Sequence, residues 1–157
     1  MAETTSVTHG PDHVEMAQDA AAFAHWPDGM RDEMLQYQNN GVVGSVLVSE
    51  TDNVRVWHLH IAPGKRCAFH RHVNAYFWSS LADGKARGYF ASGEIRDVSH
   101  YFGETKHFAY GSEDSMVHSV ENIGDTDLRF CTVEFLDGPN SPLPIPDEYR
   151  LENQPAS

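Results

Sequence analysis

The sequence predicts an all-β domain, an antiparallel barrel or sandwich. Beyond about residue 31, apolar and polar residues alternate in short segments, the period of a half-buried strand. Turn-forming clusters interrupt them at regular spacing, at Asn39-Asn40-Gly41, Pro63-Gly64, Ala82-Asp83-Gly84, Ser92-Gly93 and Gly124-Asp125. A length of 157 residues suits one domain with a sizeable core.

The first ten residues carry no apolar periodicity. A short helix is expected from Asp12, a capping residue with Glu15 three positions later, through Ala20-Ala21-Ala22. Trp26-Pro27-Asp28-Gly29 is a turn that ends it. About ten strands follow: Glu33–Gln38, Val42–Ser49, Val54–Ile61, Cys67–Val73, Tyr76–Leu81, Ala86–Phe90, Glu94–Val98, His107–Tyr110, Met116–Glu121 and Leu128–Phe135. From Gly138 onward, prolines are too dense for a central strand, and an extended tail is expected. This divides the chain into an N-terminal arm (1–30), a β-barrel (31–137) and a C-terminal tail (138–157).

Composition narrows the function. Twenty-three acidic residues against 11 Lys and Arg give a net charge of −12, with no basic block, which argues against nucleic acid and anionic membrane partners. Cys67 and Cys131 stand far apart, which excludes a disulfide scaffold and fits a reducing cytosol. No signal peptide is evident in MAETTSVTHG, and no apolar run is long enough for a membrane span. The expected location is cytoplasmic.

Two histidine segments supply the chemistry. On a strand, residues i and i+2 share a face, so His70 and His72 present two imidazoles to one ion, and His118 from a distant strand supplies a third. Three neutral imidazoles suit a divalent transition metal and leave open coordination positions, the arrangement of a reactive centre. Iron(II) is favoured, with Zn, Ni and Mn the other candidates. A second pair, His58 and His60, lacks the flanking glycines and a third partner; its face is wet or packed. Tyr76 and Trp78 share parity with His72 unless a bulge intervenes. Tyr76 is thus read either as aromatic core or as an acid or hydrogen-bond donor at the metal. Trp78 and Phe77 are assigned to the pocket wall, and His107 and Tyr110 to the barrel mouth. His107 is a second candidate catalytic group. Cys67 is read as a small buried hydrophobe, His100 as a loop residue, and Arg66, Arg87 and Arg129 as surface ion-pairing residues.

The spacing Gly64, five residues, His70-x-His72, then Gly84, followed by His118 and Asn122, resembles the two motifs of the cupin superfamily of small jelly-roll barrels. The likeness covers roughly residues 40 to 136. Where that family carries a glutamate ligand, this sequence has Phe77, or Tyr76 by the alternative count. In the second motif Glu113 and Ser115 replace its proline and glycine, and Gly103 best matches the leading glycine. The segments HVNAYFWSSLADG and SVENIGDTDLRFCTVEFLDG are similar to small bacterial cupins associated with β-alanine degradation.

The resemblance implies a double-stranded β-helix, a three-histidine metal site without the carboxylate, and assembly as a homodimer. In that assembly the Asp12–His25 segment and the tail would cover a neighbour's sheet edge. Asn122 is expected to bond backbone rather than metal. Without the glutamate, the ion's charge is uncompensated, so a small anionic, chelating substrate is expected. Three readings follow: a non-haem Fe(II) oxygenase of a small organic acid or dicarbonyl; a redox-neutral metal-dependent lyase, isomerase or cyclase; and a non-catalytic ligand-binding cupin.

Overall fold

The computed structural model describes residues 16–155; the expected cap at Asp12 and Glu15 lies outside them. Nine strands among the described residues form two antiparallel sheets. They are β1 (Val46–Glu50), β2 (Val54–Ile61), β3 (His70–His72), β4 (Ala75–Ser80), β5 (Gly84–Phe90), β6 (Ile95–His100), β7 (Thr105–Phe108), β8 (Met116–Asn122) and β9 (Leu128–Phe135). One sheet runs β1-β2-β9-β4-β7 and the other β3-β8-β5-β6, the facing layers of a double-stranded β-helix.

Alternation explains the strands. In β9, Leu128, Phe130, Thr132 and Glu134 turn inward while Arg129 and Phe135 stay exposed. In β2, Arg55, Trp57 and Ile61 are buried, and His58 and His60 face water. That settles the second histidine pair as wet, with His60 3.0 Å from Asp127.

One expected strand is a helix. Glu33–Gln38 is the later part of α1 (Met30–Tyr37) with its C-cap Gln38, and α1 packs Met30 and Met34 into a cluster with Trp26, Phe69 and Val117. An i, i+4 methionine pair is a helical stripe, and Asp32 and Glu33 sit in the first turn, where the helix dipole favours acids. Before it, Ala20–Phe23 is a single 3-10 turn capped by Asp19.

Residues 140–150 lie on their own barrel. Asn140 donates to the carbonyls of Val73 and Gly111, Arg55 donates to Leu143 O at 2.9 Å, and Arg150 reaches Glu50 at 2.7 Å. Ile145 and Tyr149 pack on the cluster of Val42, Val43, Leu47 and Trp57.

Candidate metal centre

Backbone pairing brings the histidines together. His70 is the register partner of His118 across β3 and β8, so their side chains leave the same face, and His72 follows two residues along it. Ring centroids lie 4.7 Å apart for His70–His118, 4.9 Å for His70–His72 and 5.1 Å for His72–His118. One ring nitrogen of each lies within 4.8 Å of the others. His72 Nε2 and His118 Nε2 are 3.2 Å apart. Two nitrogens bonded at about 2.1 Å to one ion, roughly 100° apart, have that separation.

The donors are in the right protonation state. Burial pushes His70 down to about 4, against the opposing pull of its bond to Ala68. Burial, then neighbouring imidazoles, holds His72 and His118 well below the ordinary histidine value. All three are neutral at neutral pH and offer lone pairs. His70 Nδ1 donates to the Ala68 carbonyl at 2.9 Å, which leaves the Nε2 lone pair free to ligate. The residues therefore fit a divalent transition metal.

Around the cluster lies a cavity of about 140 Å³, the volume of about five water molecules. Leu59, Val98, Met116, Val120 and Phe130 make its apolar wall, and no carboxylate of the described residues lines it. Tyr76 faces inward, its ring stacked on His72 at 4.0 Å and 11° and on Phe108 at 4.6 Å. Trp78 lines the cavity on the same parity.

Three expected placements change. Phe77 and His107 are register partners on the outer face, where Phe77 meets His107 at 5.1 Å and Phe135 at 6.0 Å. Strand parity puts neither on the cavity lining: Phe77 sits on the outer face instead of the pocket wall, and His107 is exposed there, away from the histidine cluster. Tyr110 is buried behind Tyr76, in a cluster with Phe90 and Met116, rather than on the cavity surface.

His100 is not in a loop. It ends β6, is buried, and lines the cavity with its Nδ1 2.8 Å from Glu104 Oε1. Arg96 and Lys106 also line it. The sequence carries the signal: Arg96, Val98 and His100 share one face, which extends the strand past the expected end at Val98. Elsewhere, Asn122 bonds only backbone, donating to Ile61 O and Thr126 O and accepting from Gly124 N. Cys67 packs against the apolar cluster of Ile61 and Leu128, and burial raises its thiol pKa. Arg66, Arg87 and Arg129 pair with Glu33, Asp97 and Asp127.

No protein-family model matches this sequence, and no curated protein does. Solved structures do. A cupin domain from Bordetella pertussis Tohama I superposes at a TM-score of 0.51, with 20% identity over 59% of this chain and 93% of that one. A conserved protein with a double-stranded β-helix domain from Klebsiella pneumoniae gives 0.45, with 22% identity over 64% of this chain and 84% of that one. Oxalate decarboxylase from Bacillus subtilis gives 0.41 and 25% identity over 52% of this chain, but the match spans only 21% of that chain. The Bordetella likeness shows the double-stranded β-helix fold and nothing finer.

Proposed function

We propose that this protein is a metal-dependent mono-cupin, a three-histidine non-haem Fe(II) oxygenase acting on a small organic acid or dicarbonyl. The observation that carries the reading is the convergence of three neutral imidazoles, two buried and the third half-buried, at the wall of a cavity that no carboxylate of the described residues lines. His70, His72 and His118 would hold the ion, which supplies Lewis acidity and, as iron, one-electron chemistry toward dioxygen. The chain's own residues do the rest. Tyr76 and Phe108 form a stacked wall that fixes the His72 ring. The apolar side chains of the lining lower the polarity around the reacting groups, which strengthens electrostatic interactions there. With no acidic side chain on the lining, an anionic chelating substrate meets no like charge there. The likeness to cupins of β-alanine degradation adds no reaction to this.

Oxygen consumption by the iron-loaded protein, screened against a library of small carboxylic acids and dicarbonyls, tests the proposal. Uptake with at least one acid, lost in His70→Ala, is expected. Turnover that persists under argon with zinc would replace it with a redox-neutral lyase or isomerase. No turnover under either condition would leave a ligand-binding cupin.

A further inference from the structure

The sign of charge along the cavity runs against that of the whole chain. The net charge is −12, yet the charged groups on the lining are the cations Arg96 and Lys106. They sit on β6 and β7, each at one edge of its sheet, and both line the cavity. The nearby carboxylates are already engaged: Glu94 lies 3.0 Å from the Arg96 guanidinium, and Glu104 lies 2.8 Å from His100 Nδ1. Lys106 makes no ion pair among the described residues. Its ammonium lies 5.9 Å from the centroid of the Trp78 ring, its register partner on β4. The same indole receives the His100 ring edge-on at 5.2 Å. One uncompensated cation and one fixed imidazole are therefore gathered on Trp78, on the wall of the cavity that the histidine cluster also lines.

The geometry points to Lys106 as a specificity-determining residue that captures a carboxylate remote from the histidine cluster, so that the preferred substrate is a two-headed acid. This rests on the reading of the cluster as a metal centre, which takes the other head. A lysine–carboxylate contact at a half-buried, aromatic-walled position outweighs its exposed counterpart, because less water competes for both charges. Arg96, neutralised by Glu94, contributes less.

The test uses zinc, which is redox-silent, so that binding is read without turnover. Zinc-loaded and metal-free protein are titrated calorimetrically with succinate, glutarate and adipate, each against the monocarboxylate of equal length: butyrate, valerate and hexanoate. In the zinc form at least one diacid should bind about tenfold more tightly than its monoacid. Lys106→Met, which keeps the stem over Trp78, should erase that preference, and Lys106→Arg should retain most of it. A preference that survives in Lys106→Met, or its absence from the wild type, overturns the proposal. Zinc content is measured separately. If zinc fails to bind, the metal reading falls, and the lysine site is then judged on metal-free protein. There, weaker acid binding by Lys106→Met upholds it, and equal binding overturns it.

Discussion

The indole N–H of Trp57 donates to the carboxylate of Glu134 at 2.8 Å in the barrel interior, where Glu134 is 2% exposed. Asn74 donates to the other carboxylate oxygen at 3.1 Å, while its own Oδ1 is buried without a partner among the described residues. A carboxylate so placed serves the barrel only as well as its donors replace water.

Burial raises the Glu134 pKa, against the opposing pull of the Trp57 and Asn74 bonds. A raised acid favours the protonated folded state. Its contribution to stability is full below the ordinary glutamate value and is lost as pH climbs through the folded value. Glutamine does not titrate and still accepts from Trp57. Glu134→Gln should therefore gain stability relative to wild type between pH 4 and pH 8, measured by urea denaturation across that range. A difference that stays flat with pH would contradict the assignment.

Trp57→Phe removes the donor and leaves the ring volume largely filled. The loss of a bond to a buried charge costs about 1.5–3 kcal/mol. That penalty should be largest at pH 8 and shrink toward pH 4, where Glu134 takes up its proton. Equal loss at both ends would mean that the indole acts by packing alone.

The two His-x-His pairs separate cleanly by experiment. Wild type should bind one divalent ion per chain, by elemental analysis after loading with zinc. His70→Ala, His72→Ala and His118→Ala should each weaken binding by more than the roughly 10–100-fold that the loss of an outer partner costs. His60→Ala, on the wet face beside Asp127, should leave affinity unchanged.

Most of the barrel was legible because alternation is a direct image of burial. The bounds of Val54–Ile61 and Leu128–Phe135 coincide with β2 and β9, whose buried residues mostly fall on every second position. The cluster was legible because H-x-H spacing on a strand leaves little freedom. The failures are failures of phase. Glu33–Gln38 reads as alternation only if Met30, one turn earlier, is left out. His107 and Phe77 carry suitable chemistry on the wrong parity, which their cross-strand pairing reveals and one strand alone does not. His100 was lost to an early strand end, and with it the Glu104 partner four residues on.

Gly93 holds the N-terminal segment to the sheet. It has φ +92°, and a Cβ there would collide with the carbonyl oxygen of Ala22; its own carbonyl accepts from the Trp26 indole at 2.9 Å. Gly93→Ala combines a left-handed backbone penalty of about 1–2 kcal/mol with that collision. A lower midpoint of thermal unfolding and a red-shifted tryptophan emission, as Trp26 leaves its cluster, are expected. Unchanged emission would show that the segment moves without undocking.

Tyr76 has two separable properties, a ring and a hydroxyl. The ring is held between His72 and Phe108, nearly parallel to both, at 4.0 Å and 4.6 Å, so it fixes the orientation of the His72 imidazole. Phenylalanine preserves that stack, and alanine abolishes it. Tyr76→Phe should keep zinc affinity within a few-fold of wild type, since no ligand ring is released to turn. Tyr76→Ala empties a fully buried site, costs about 3–5 kcal/mol of stability, and frees the His72 imidazole to rotate. Its zinc affinity should fall by roughly the 10–100-fold seen when an orienting partner is lost. If the iron-loaded Tyr76→Phe protein also loses oxygen uptake while retaining its metal, the hydroxyl acts on substrate. If it retains both, Tyr76 is a positioning residue and its chemistry ends at the stack.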